Sequence, residues 1–205
     1  MRLIHFTFLA IGFLTFCQKE YFEATPDVDI TVAIDAGHGG MDHGAKVMGR
    51  NEKELTLEWA FTVKDQLESY GINAVLIRKT DEFMSFQERL SVIKQNRPDF
   101  LISIHSHAKK GSAMEVYHCA NSPFQEKSLA IAEMVASSLR QAGNERVSLR
   151  EASLYVLKKS PCPGLMLQLP PTKNNQPKEN LRNWSTSLAN ELISRKEVAT
   201  ALANR

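Results

Sequence analysis

Short apolar runs alternate with longer stretches of helical period along this chain. Residues 31–36 (TVAIDA) form a compact apolar run that ends against glycines, which predicts a buried strand. Across residues 54–70 the period changes. Leu55, Trp59, Val63, Leu67 and Tyr70 fall on one helical face, and Gly71 ends the pattern. Residues 72–78 predict a second strand. Ser85-Phe86-Gln87-Glu88 has the form of a capping box, opening a helix with Phe86, Leu90 and Ile93 on one side and Pro98 beyond its end. Residues 99–105 (DFLISIH) predict a third strand, and residues 114–119 (MEVYHC) a fourth. Ser122-Pro123 then predicts a helix start, with proline in the first turn and Gly143 after the last. Residues 154–157 and 164–169 read as two further strands, and residues 179–202 as a final helix.

The order β-α-β-α-β-β-α-β-β-α predicts an α/β fold. It is a single domain built on a mixed, largely parallel sheet of about six strands, with helices on both faces. Ligands of such sheets bind beyond the carboxyl ends of the strands. Chemistry is therefore expected just after the first, third and last strands.

The N-terminal residues differ in kind. Arg2 precedes an apolar stretch over residues 3–16, interrupted by His5, Thr7 and Thr15. That is well short of the ~20 residues that span a bilayer, and it has the form of an export signal. Cys17 follows directly, as in bacterial lipoprotein signals where the cysteine is lipidated. A plain export signal or an uncleaved anchor is the alternative. The expected organisation is a signal over residues 1–17, a tether over 18–30 and one folded domain over 31–205. The expected location is the cell envelope, either periplasmic or as an outer-membrane lipoprotein facing the wall.

The remaining composition is that of an ordinary globular protein, 43% hydrophobic and 23% charged over 205 residues. The net charge of +2 is too small to imply a nucleic-acid partner. Cys119 and Cys162 read as small buried hydrophobes, with pairing as the alternative.

Three polar residues stand where the strand-end rule points. His38 follows the first strand in Asp35-Ala36-Gly37-His38-Gly39-Gly40, Glu52 opens the first helix, and His105 ends the third strand. Two imidazoles and a carboxylate form a common catalytic zinc set that leaves one coordination position open. Taken singly, each has an ordinary structural role available, a hydrogen-bonded strand-end histidine or a helix-capping glutamate.

The segments IDAGHGGMDHGA, NEKELTL and DFLISIHSHA occur in that order, with Arg78-Lys79-Thr80-Asp81 and the Arg89 region between them. Together they resemble the zinc-dependent N-acetylmuramoyl-L-alanine amidases over residues 32–168. The resemblance implies Zn2+ held by His38, Glu52 and His105. It also implies hydrolysis of the bond between muramic acid and L-alanine in peptidoglycan or muropeptides. One departure stands out. The family's catalytic glutamate aligns with Gln168, whose amide accepts no proton at neutral pH. His107 stands where the family often has asparagine and is a candidate proton carrier. His43 replaces a frequent proline, and Glu115 matches a glutamate that lines the cleft or supports it. A catalytically impaired wall-binding or regulatory protein on the same scaffold is therefore the second reading, and a zinc carboxypeptidase a weaker third.

Overall fold

The computed structural model describes residues 29–107, 113–144, 146–170 and 176–194. The signal, the tether and Cys17 lie outside the described residues, apart from Asp29 and Ile30.

Six strands form one sheet in the order β4-β1-β5-β8-β6-β7. They are β1 (Thr31–Ala36), β4 (Asn73–Leu76), β5 (Phe100–Ser106), β6 (Met114–His118), β7 (Val147–Glu151) and β8 (Gly164–Leu169). Pairing is parallel throughout except between β6 and β8. A separate hairpin, β2 (Lys46–Val47) and β3 (Arg50–Asn51), closes through Met48 and Gly49, both left-handed.

The helices are α1 (Glu52–Ser69), α2 (Phe86–Asn96), α3 (Gln125–Gln141), α4 (Tyr155–Lys159) and α5 (Gln176–Ser194). α1, α3 and α5 cover one face of the sheet. Trp59, Val63, Ile131, Val135, Trp184 and Leu188 pack there on Val32, Ile34, Ile102 and Leu167 in the main core. A smaller core on the opposite face joins α2 and α4 to Ala33, Leu101 and Cys162. Strand alternation explains the split: Val32, Ile34 and Ala36 point one way, Ala33 and Asp35 the other.

Local signals behave as their chemistry requires. Ser85 and Glu88 form a complete capping box on α2. Arg97 ends α2 in a left-handed conformation just before Pro98. Gly71 and Gly143 take positive φ after α1 and α3. Ser122 and Pro123 form a turn that precedes α3, in which the Ser122 carbonyl accepts from Gln125 N. The helix itself therefore begins two residues later than the proline suggests.

One expected strand is corrected. Residues 154–157 lead into helix α4, where Lys158 N donates to the Leu154 carbonyl at 2.8 Å. A four-residue apolar run carries too little periodicity to separate strand from helix. The strand at that point in the order is β7, at the edge of the sheet beside β6. Its sequence VSLRE is half-buried and mostly polar, so it lacks an apolar signature. Cys119 and Cys162 are buried, and no disulfide joins them. No described helix is long and apolar enough to cross a membrane.

Candidate metal centre

His38, Glu52 and His105 come from three different elements. They are the loop after β1, the first residue of α1 and the penultimate residue of β5. Parallel pairing sets β1 beside β5, so both histidines emerge at the same sheet edge. One ligand-type atom from each of the three lies within 4.8 Å of the others. Glu52 holds both rings: His38 Nε2 is 3.1 Å from its Oε2, and His105 Nδ1 is 3.1 Å from its Oε1. The two imidazoles meet edge to face with centroids 5.0 Å apart.

The carboxylate of Glu52 is almost fully buried. Burial pushes its pKa up. Hydrogen bonds from His105 and His38, and from the N–H groups of Ser106 and Ala45, outweigh burial and hold it well below the usual carboxylate range. The hydrogen bond with Glu52 raises the His38 pKa against the opposing effect of burial, with Asp42 adding to the rise. The donor set fits zinc: two imidazoles and an ionised carboxylate converge on one point, and both rings border an open cavity.

Two glycines make the convergence possible. A Cβ at Gly37 would stand 2.4 Å from His105 Cε1. A Cβ at Gly44, whose φ is +63°, would stand 2.6 Å from His38 Cδ2 and 2.8 Å from Glu52 Cβ. Any side chain at either position would displace a ring.

Around the cluster lies a set of groups that grip the His38 loop. Asp42 Oδ2 sits 2.9 Å from His38 Nδ1, which turns Nε2 toward Glu52. His38 itself has φ 63°, costly for a residue with a Cβ. Arg89 holds it there, donating from Nη2 to the His38 carbonyl and from Nη1 to Asp35 Oδ1, each at 2.5 Å. Ser103 Oγ donates to the other Asp35 oxygen at 2.9 Å. Buried Arg78 donates to the carbonyls of Ala36, Gly37 and Lys53. Lys53 in turn reaches the Gly40 carbonyl and Asp81, and Asp81 accepts from Gly40 N. In the sequence Arg78, Asp81 and Arg89 stand out only as letters of a motif, and Asp42 carries a single local signal, its i,i+4 spacing from His38.

Gln168 stands in register between His105 on β5 and Glu115 on β6, so the three side chains share one face. Glu115 is fully engaged. Arg150 Nε lies 2.6 Å from Oε1, and the Tyr117 hydroxyl donates to Oε2 at 2.7 Å. His107 Nε2 lies 3.2 Å from the same Oε2 without making a hydrogen bond to it. Burial pushes the Glu115 pKa up, but Tyr117, Arg150 and His107 bring it below the ordinary value. His43 is exposed and stands outside the three-residue cluster. Its carbonyl accepts from Lys53 N at 3.3 Å.

Comparison with known proteins places the chain in a family. The Bacillus subtilis (strain 168) protein named Uncharacterized protein YqiI is 33% identical over 148 residues, 71% of this chain and 72% of that protein. N-acetylmuramoyl-L-alanine amidase LytC of the same organism is 33% identical over 148 residues, 70% of this chain but 29% of LytC, so the chain matches less than a third of that relative. Among solved structures, N-acetylmuramoyl-L-alanine amidase AmiC2 of Nostoc punctiforme superposes with a TM-score of 0.65 at 27% identity, covering 82% of this chain and 97% of that one. The family model Amidase_3, N-acetylmuramoyl-L-alanine amidase, matches residues 32–194, and the chain belongs to this family.

Proposed function

We propose that this chain is a zinc-dependent hydrolase of the amide between N-acetylmuramic acid and L-alanine in peptidoglycan. The observation that carries the reading is the convergence of His38, Glu52 and His105 to within 4.8 Å beside a cavity. Zinc, when bound, polarises an amide carbonyl and lowers the pKa of water toward about 7. The chain's own residues supply the rest. Glu52 stays ionised because four donors face its two oxygens. Asp42 orients the His38 ring and Arg89 fixes its backbone.

Gln168 occupies the place of the family glutamate. Its amide orients a substrate group or water by hydrogen bonds and takes no proton. In this reading His107 moves the proton, braced by Glu115 at 3.2 Å. Glu115 suits the bracing role better than the base role, because Tyr117 and Arg150 already occupy its oxygens.

The experiment is incubation of purified muropeptide with the protein and zinc, following free L-alanyl peptide. Product that disappears with chelator supports the hydrolase. No product across a range of pH, together with recovery in Gln168→Glu, supports the second reading, a catalytically impaired wall-binding or regulatory protein. Gln168 itself motivates that alternative. A pulldown with insoluble cell wall, with and without chelator, separates the two: the impaired protein retains its bait intact.

The apolar N-terminal run supports export to the cell envelope, with Cys17 as the acylated residue. Metabolic labelling with a fatty acid, lost in Cys17→Ser, tests the anchor.

A further inference from the structure

We propose that the cavity between α2 and α4 is the subsite for the sugar side of the substrate, with Phe86 and Tyr155 as its stacking platform. The inference rests on the reading of peptidoglycan as substrate and adds which part of it this cavity takes.

The cavity measures about 430 Å³, within the ~300–1,000 Å³ of small-molecule sites. His38 and His105 border it, so a group bound at the metal centre leads directly into it. Asp35, Ser103 and Met166 line it from the sheet, and the first turn of α2 and the residues of α4 line its walls. Phe83, Phe86 and Tyr155 belong to this lining, yet they are 51%, 54% and 45% exposed. Large aromatics left half in water at the rim of one cavity are unusual unless something covers them. The Phe86 and Tyr155 rings rest on each other with centroids 5.2 Å apart and planes tilted by 37°. The platform is therefore built before any ligand arrives. Phe86 is held as the first residue of α2 by the Ser85–Glu88 capping box.

The charges in the cavity select between the two halves of the substrate. Asp35 is satisfied by Arg89 and Ser103, and Asp42 faces His38. Arg89 is spent on Asp35 and on the carbonyls of Ala36 and His38. Among the described residues of the lining, no cation is left to receive the carboxylates of a stem peptide. A neutral sugar has no such need. Its C–H faces stack on aromatic rings, and its hydroxyl and acetamido groups stay at the open mouth. The peptide then leaves on the other side of His105, across Gln168.

The test is equilibrium binding by NMR titration of the full chain loaded with zinc. The probe is the disaccharide N-acetylglucosaminyl-N-acetylmuramic acid with its lactyl group capped as a methylamide. A sugar-free stem peptide is the competitor. Phe86→Ala and Tyr155→Ala should each weaken disaccharide binding by up to about tenfold, the scale of one lost aromatic contact. Phe86→Tyr and Tyr155→Phe should retain it. The proposal is overturned by disaccharide binding unchanged in the alanine variants, by displacement with stem peptide alone, or by no binding of the disaccharide. Muropeptide hydrolysis measured in parallel separates the two claims. Ring-dependent sugar binding without hydrolysis, even in Gln168→Glu, leaves the subsite standing and removes the hydrolase. Hydrolysis indifferent to both rings does the reverse.

Discussion

Gln168 is the registered partner of His105 across parallel strands, so the position at which the family resemblance expects a glutamate lies beside the residue expected to hold the metal. An amide at that position orients a group by hydrogen bonds and takes no proton. With His107 moving the proton, Gln168→Glu should leave muropeptide hydrolysis within about one order of magnitude, whereas a chain that lacks a base should gain about 10²–10⁴, the usual worth of a positioned acid–base group. The measurement is release of L-alanyl peptide at fixed zinc. A gain of about 10²–10⁴ would mean that His107 does not move the proton and would support the impaired reading.

Gly37→Ala separates metal binding from folding. The added methyl lands on the His105 ring. Overpacking of this kind costs about 1–3 kcal/mol, so the fold should persist. Zinc affinity should fall by about 10–100-fold, as when a supporting contact to a ligand is lost. Competition with a chromophoric chelator reads the affinity, and circular dichroism checks the fold. Retained affinity would show that His105 is not a ligand.

Arg89→Ala removes the partner of Asp35, which is only 2% exposed and keeps a single hydroxyl donor, Ser103. Breaking a buried ion pair from one side costs about 3–5 kcal/mol. Urea unfolding should show that loss. A cost under about 1 kcal/mol would mean that the His38 loop holds its shape without the guanidinium.

Acid stability should depend on Glu115. Its pKa lies below the ordinary 4.5 in the folded protein. A depressed carboxylate stabilises the fold above its unfolded pKa, and the contribution disappears as pH falls through the folded value. Glu115→Gln lacks that contribution at every pH. Its melting temperature should therefore be lower than wild type at pH 7, and the gap should narrow below about pH 4.5. A constant gap from pH 7 to pH 3 would contradict the assignment.

How much of this was legible in the sequence follows from the strength of each local signal. β1 and β5 are buried on both faces and read as continuous apolar runs. α2 announces itself through its capping box. β7 and α4 were opaque for opposite reasons. β7 is an edge strand with little apolar surface to bury, and α4 is a single helical turn too short to show a period. The candidate ligands were legible because glycines crowd around His38 and because both histidines follow apolar strands. The Arg89–Asp35 pair and the His107–Glu115 contact were not, since each joins residues that no local pattern relates.

The sequence by itself determined the alternation of strands and helices, the chemical types of the candidate ligands and the amide at position 168. Only the tertiary structure decided that Glu52 bridges both imidazoles, that Glu115 is saturated by its neighbours and that Phe86 meets Tyr155 beside the metal centre. The physical reason is that periodicity and caps act within a few residues along the chain, whereas ligand geometry, burial and paired charges arise where strands and helices distant in sequence are packed side by side.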